Sequence, residues 1–316
     1  MAAGLGTRLA PFTDVLPKPL CPIMGVPSIQ FTFDLLAQYG VEKTVVNLHH
    51  HAEQLRNQLQ FLKGKLDLEF SDETRCLLGS GGGVRKAKDL IGKEPFYLMN
   101  ADTISVVHLK DLSQVHFELR HQYGVEITLV CHSHAPRGGK YREIILNRNG
   151  QLVSSLGDIK ENSTFYTGVA IIHPEAIPDS IPLDRSTDFI KEILDPAIKR
   201  GRVGVYMLDT EIERDPMRWF DIGSPKLWWE THLRWIEMLE DDEFPTTLRN
   251  RVLKRARKLK PGVWTDVAEV SQSFVDRSQA PSFYGSLAMW ESLCAHFMLS
   301  RFSTTLTLLY NRQSQE

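Results

Sequence analysis

The chain has few cysteines and no pattern among them. Cys21, Cys76, Cys131 and Cys294 are the four present; no two stand as C-x-x-C, and none has metal-ligand spacing. A disulfide framework and a thiolate metal site are excluded, and reduced thiols in a cytoplasmic protein are expected. Charge of one sign is also lacking. Thirty-seven Lys and Arg against 39 Asp and Glu leave a net charge of −2, so no global basic field argues for nucleic acid. No run of 18 apolar residues occurs; residues 287–310 come nearest, and Glu291, His296 and Arg301 interrupt them. No membrane span is expected there, and no signal peptide is read ahead of the first motif. Two common phosphate motifs are missing too. The first glycine loop lacks the G-x-x-x-x-G-K-[ST] of a P-loop, and Leu9 stands where G-x-G-x-x-G needs its last glycine.

What remains is ordinary for a globular chain of 316 residues, with 42% hydrophobic and 24% charged residues. The informative part is the opening: Ala2-Ala3-Gly4-Leu5-Gly6-Thr7-Arg8-Leu9-Ala10-Pro11-Phe12-Thr13, then Pro17-Lys18-Pro19-Leu20-Cys21-Pro22-Ile23. Gly4 and Gly6 allow close backbone approach and positive φ. Successive backbone N–H groups in such a loop cradle phosphate oxygens. Arg8 adds a planar fork and Lys18 a mobile point charge. Together these features suggest a triphosphate site.

Downstream, short apolar runs alternate with helical patterns. Strands are expected over 43–48, 66–70, 95–100, 125–131, 165–173 and 203–207. Helices are expected over 28–39, 52–62, 83–90, 187–199 and 226–239, the fourth capped by Ser186 or Thr187. This alternation predicts a mostly parallel sheet with helices on both faces. Asp102 follows the strand PFYLM, where ligands bind in open α/β sheets, and its hard carboxylate suits Mg²⁺. The glycine run Gly79-Ser80-Gly81-Gly82-Gly83 falls between a strand and a helix start. His49, His50 and His51 are consecutive and cannot all face one ion, so they are read as a loop.

The pattern G-x-G-T-R-L-x-P-x-T followed by P-K-P-L-x-P-I resembles the signature of the sugar-1-phosphate nucleotidylyltransferases. The segments look most like the compact mannose-1-phosphate guanylyltransferases and N-acetylmuramate-1-phosphate uridylyltransferases. The resemblance covers residues 1 to about 240 and implies an α/β, Rossmann-like fold. It implies that an NTP and a sugar 1-phosphate give an NDP-sugar and pyrophosphate, for cell-envelope polysaccharide precursors. It implies Arg8 and Lys18 as the catalytic cations, with Ala3, Gly4, Gly6, Thr7, Ser80 and Gly82 on the nucleotide. Asn100-Ala101-Asp102 resembles the family's N-G-D metal motif, and Asp221, within Trp219-Phe220-Asp221-Ile222-Gly223-Ser224-Pro225, matches the second Mg²⁺ ligand. Thr167 and Gly168 resemble the sugar-contacting strand. The family's Glu-Lys-Pro segment is replaced by Asp158-Ile159-Lys160-Glu161, which leaves Lys160 as the candidate for the sugar phosphate.

The family also leads into the glycine loop with a short central strand. Here Met1 abuts Ala2, so the first strand is expected to be missing, and a start placed too far downstream is the simplest account. Three divisions are expected: a nucleotidyltransferase domain over 1–242, a basic linker helix over 243–260, and an extension over 261–316. Seven of the twelve residues 249–260 are basic. The extension faintly resembles one coil of a hexapeptide-repeat β-helix, which cannot bury a core alone. Two rival readings remain at this stage: a cytidylyltransferase acting on phosphocholine, and a regulatory homologue that binds nucleotide sugars without turnover. An oligomeric assembly is left open.

Overall fold

The sheet is organised around one reversed strand. The structure, a computed structural model, describes residues 1–135, 141–160, 163–208, 218–240, 244–254, 256–260, 263–266 and 308–309. Strand β1 (Lys43–Leu48) pairs in parallel with β2 (Asp67–Asp72), and α2 (Ala52–Leu62) crosses between them. Leu55 and Leu59, one helical turn apart, anchor α2 in the core. Helix α1 (Ser28–Gln38) precedes this unit. Its Ile29, Phe33 and Leu36 enter one core while Phe31 enters another. After α3 (Gly79–Ile91) come β3 (Phe96–Met99), the short β4 (Thr103–Ser105) and α4 (Leu109–Tyr123). Gly124 ends α4 at φ 67°, the left-handed stop that glycine tolerates.

The larger sheet follows. Strand β5 (Ile127–His132) is buried along its whole length, and β6 (Arg142–Leu146) and β7 (Val153–Asp158) form a hairpin. Strand β8 (Phe165–Ile172) runs antiparallel to β3, β5 and β6, and β9 (Val203–Met207) runs parallel to β5. Strands β3, β5 and β9 therefore share one direction, and β8 alone among these four opposes them. Last, β10 (Trp219–Asp221) pairs antiparallel with β4, and α6 (Pro225–Glu240) and α7 (Thr246–Val252) close the described fold.

The expected α/β architecture holds, with local differences. Helix α3 begins at Gly79 rather than residue 83, so the glycine run lies inside it. The helix expected over 187–199 is a π-turn (Ile190–Leu194) running into α5 (Asp195–Lys199). Pro196 has no N–H for an i→i−4 bond, and the backbone widens ahead of it. The basic stretch is not one helix. Leu248 and Val252 bury one turn of α7, and Arg251 clamps Asp34 of α1 through two hydrogen bonds of 2.5 Å. Helical apolar spacing stops there. Ala256–Lys260 is instead strand β11, antiparallel to β12 (Val263–Asp266). The β-helix-like coil otherwise lies outside the described residues.

Between β1 and β3, strands of separate sheets, lies a cavity of about 320 Å³ lined by Phe33, Val46, Ala87, Phe96 and Leu98. Met1 stands at one end of it. Its N–H group donates to Met99 O, and Ala101 N–H donates to Met1 O, as in a parallel ladder.

A second core ties the first twenty-odd residues to the end of the domain. Leu9, Phe12 and Ile23 pack with Trp228, Trp235, Ile236 and Leu248. Trp235 is fully buried, and its ring meets Phe31, Phe220 and Phe244 edge-on at 5.0–5.3 Å. Replacing Trp235 with Ala should cost about 3–5 kcal/mol, the range for a buried large aromatic. Trp235→Phe should cost less, because it also removes an indole N–H that has no partner. Urea unfolding of both variants checks this ordering.

Candidate functional site

The site is assembled by the β4–β10 pairing. Its register sets Asp221 opposite Thr103, so Asp221 lies beside Asp102, the residue before Thr103. A further backbone bond from Ile222 N–H to Asp102 O, at 3.3 Å, extends this contact.

The N-terminal loop brings the cations. Gly6 sits at φ 69°, and a Cβ there would fall 2.6 Å from Thr13 Cγ2, so the turn requires glycine. Thr13 Oγ1 donates to Gly6 O, while Leu9 and Phe12 anchor the loop in the core. Ala3 is buried beneath the loop; Gly4 faces open space, and Thr7 and Arg8 are exposed. Lys18, fixed between Pro17 and Pro19, is buried and forms an ion pair with Asp102. Partial burial opposes the charge on Asp102, yet the Lys18 ammonium holds its pKa below the usual aspartate value.

Three of the groups converge on Gly223, and the fourth, Asp102, joins them through Lys18. A Cβ placed there would lie 2.7 Å from Asp221 Oδ1, 3.1 Å from Arg8 Nη2 and 3.4 Å from Lys18 Nζ. Gly223 is therefore bounded by two cations and one carboxylate, and any side chain at 223 would displace them. Asp221 is held at both oxygens. Gly223 N–H donates to Oδ1 at 2.6 Å, and the Tyr141 hydroxyl donates to Oδ2 at 2.5 Å. Burial, and then the Asp221 charge, push the Tyr141 hydroxyl well above the usual tyrosine range, so it remains a donor.

The other expected residues divide. Gly168, at φ 88°, interrupts β8, and a Cβ there would meet Asn100 Nδ2 at 2.6 Å. Asn100 N–H donates to Gly168 O, which joins this position to the end of β3 and so to Asp102. The Thr167 hydroxyl is buried and donates to Val130 O, so its side chain supports the sheet, while its carbonyl accepts from Trp219 Nε1 at 2.7 Å. Ser80 and Gly82 lie in the first turn of α3. Ser80 Oγ accepts from Phe189 N–H, Gly81 N–H donates to Thr187 O, and Gly82 packs on Leu78 and Thr187. Close packing of residues 186–189 accounts for these glycines. Lys160 is exposed beyond β7, with its N–H on Ser163 Oγ. Ser80, Gly82 and Lys160 are not among the groups that converge on Gly223. The acidic residues 209–215 lie outside the described residues.

Sequence reasoning missed two features. One is Tyr141, which follows a polar, glycine-containing stretch of sequence and carries no motif of its own. The other is a buried polar node between the glycine loop and α3. Asn47 Oδ1 accepts from Ala2 N–H at 2.6 Å, Asn47 Nδ2 donates to Glu73 Oε1 at 2.8 Å, and Leu78 N–H donates to Glu73 Oε2 at 3.2 Å. A Cβ on Gly83 would fall 2.8 Å from Glu73 Oε1. An asparagine within the apolar strand KTVVNL was the available signal. The histidine triplet is engaged locally: His49 with Glu73 O, and His50 and His51 with Thr13 O.

Residues 1–145 match the family described as nucleotidyl transferase. The chain is 28% identical over 232 residues to the mannose-1-phosphate guanylyltransferase catalytic subunit beta of Drosophila melanogaster, covering 72% of this chain and 59% of that one. It is 36% identical over 111 residues to the N-acetylmuramate alpha-1-phosphate uridylyltransferase of Caulobacter vibrioides, covering 34% of this chain and 46% of that one. The chain thus spans about six-tenths or less of these relatives' lengths. In fold it resembles apo UDP-glucose pyrophosphorylase, with a TM-score of 0.57 and 20% identity, over 75% of this chain and 97% of that one.

The buried node supplies a pH test. Burial pushes Glu73 above its ordinary pKa of 4.5, against the pull of its donors. The folded chain then binds more protons than the unfolded one, so this group's contribution to stability falls as pH rises from 4.5 through the raised value. Glu73→Gln stays neutral throughout and should gain on the wild type across that window. Urea midpoints at several pH values would show the two curves converging or crossing; parallel curves would rule out the assignment.

Proposed function

Residues 1–145 belong to the nucleotidyl transferase family, and on that premise we propose that the chain joins an NTP to a sugar 1-phosphate, releasing pyrophosphate and an NDP-sugar. The observation that carries this reading is the meeting of Arg8, Lys18 and Asp221 at Gly223, with Asp102 paired to Lys18. Two fixed cations beside two carboxylates suit a reaction between polyanions.

The attacking group is a phosphate oxygen of the sugar 1-phosphate. With a second pKa near ~6 it is largely dianionic at neutral pH and needs no general base. It forms a bond to the α-phosphorus of the NTP as the bond to the β-phosphate oxygen breaks, and pyrophosphate leaves. The work lies in positioning and electrostatics. Arg8, exposed at the loop, takes the β,γ-phosphates and the leaving pyrophosphate. Lys18 takes the α-phosphate and the sugar phosphate. Ala3, Gly4, Gly6 and Thr7 offer backbone groups to the phosphates, and Gly168 with Asn100 bounds the acceptor side.

The donor set fits a hard divalent cation. Each Asp221 oxygen accepts one protein hydrogen bond and keeps a lone pair, and Asp102 lies beside it. Asp102 and Asp221 would hold Mg²⁺, which, when bound, neutralises phosphate charge. We further propose that the product serves as a cell-envelope polysaccharide precursor. Neither phosphocholine transfer nor purely regulatory binding draws support from the relatives named above. Among the described residues no helix is long and apolar enough to cross a membrane, and a cytoplasmic location is part of the proposal.

Pyrophosphate release with Mg²⁺, measured for four NTPs against a panel of sugar 1-phosphates, tests the reading. One active pair is expected; a folded sample inactive throughout would refute it. With that pair, Arg8→Ala and Asp102→Asn should each lower kcat at least ~10²-fold, the scale of lost transition-state electrostatics.

A further inference from the structure

We infer that Tyr141 is a positioning residue that holds the Asp221 carboxylate away from Arg8 and aims it at a bound divalent cation. The inference rests on the functional reading above. Asp221 Oδ1 and Arg8 Nη2 lie 2.7 and 3.1 Å from one point at Gly223. An unrestrained carboxylate so placed would rotate onto the guanidinium in a bidentate pair. Both groups would then be consumed, and neither the cation nor the leaving phosphates would find its partner.

Two donors oppose that collapse. Gly223 N–H grips Oδ1, and the Tyr141 hydroxyl grips Oδ2. With both oxygens bound, the carboxylate plane is fixed. The Tyr141 ring is itself fixed by an aromatic cluster: its centroid lies 4.9 Å from Phe165 and 5.6 Å from Trp219, and Phe165 and Trp219 stand 4.9 Å apart, edge to face. Phe165 is fully buried, and the Trp219 indole N–H is tied to Thr167 O. Trp219 lies in the same strand as Asp221, so one cluster orients the carboxylate from both its backbone and its hydrogen-bond partner. Tyr141 touches no reacting atom and acts through Asp221.

Tyr141→Phe keeps the ring and removes only the hydroxyl. Mn²⁺ titration of the full chain without substrates, followed by water-proton relaxation, reads the site directly. The variant should bind Mn²⁺ about tenfold more weakly, the lower end of the effect of removing a group that orients a metal ligand. Its melting temperature should match the wild type. In turnover, the Mg²⁺ concentration for half-maximal rate should rise by a similar factor, while the KM for NTP at saturating Mg²⁺ stays put. Unchanged Mn²⁺ affinity in Tyr141→Phe would overturn the proposal, as would a wild-type chain that binds Mn²⁺ no better than Asp221→Ala. If no substrate pair releases pyrophosphate, the functional reading fails, and the Mn²⁺ titration still decides the role of Tyr141.

Discussion

The site depends on three residue pairs of antiparallel strand. Trp219, Phe220 and Asp221 face Ser105, Ile104 and Thr103, and the bond from Ile222 N–H to Asp102 O carries the pairing on to the second carboxylate. Ile104 and Phe220, the middle pair, are buried in the second core. Core packing therefore sets the register, and the register sets the acids. A slip of one residue would turn Asp221 to the opposite face of the strand and bury it among aromatics.

The ion pair between Lys18 and Asp102 follows from this arrangement. A buried lysine without a partner would be costly, and the two flanking prolines leave the backbone of residue 18 little freedom to carry the side chain away. Its charge must be matched, and Asp102 matches it. The same pair sets up an exchange. On the proposed function, an incoming phosphate would compete for the Lys18 ammonium, and a divalent cation would compete for Asp102. Ligands of opposite sign thus separate the pair, each replacing what the other removes. A site with nearly balanced charge can be folded when empty and still attract a polyanion and a cation together.

The legible parts of the sequence were those in which local chemistry and tertiary role coincide. The glycine loop, Arg8 and Lys18 announced themselves because a positive-φ turn and fixed cations have few other uses in one short stretch. Most helices and strands followed from apolar spacing. The hairpin of β6 and β7 and the reversal of β8 did not, because an apolar run reads alike in either direction. The glycines of 79–83 suggested a ligand, yet Gly81 and Gly82 let residues 182–188 approach α3. A glycine signals closeness without naming what comes close. Tyr141 was illegible for a different reason. Its importance lies in a hydrogen bond to a residue eighty positions away, and no local pattern records that.

The polar node at Asn47 and Glu73 bears on how the glycine loop and α3 are coupled. Ala2 N–H rests on Asn47, Glu73 accepts from Asn47 and from the turn before α3, and Gly83 presses against both side chains. The start of the phosphate loop and the start of α3 are therefore fixed to one buried carboxamide–carboxyl pair rather than to each other. A ligand that shifts the loop must strain this node or carry α3 with it, because buried polar groups cannot exchange partners with water at low cost. The loop is thus firm at Ala2, where its backbone is bonded and buried, and open at Gly4, Leu5, Thr7 and Arg8, which are exposed on either side of the packed Gly6. On the proposed function, that division suits a loop whose backbone would yield a little to a phosphate while its anchor does not.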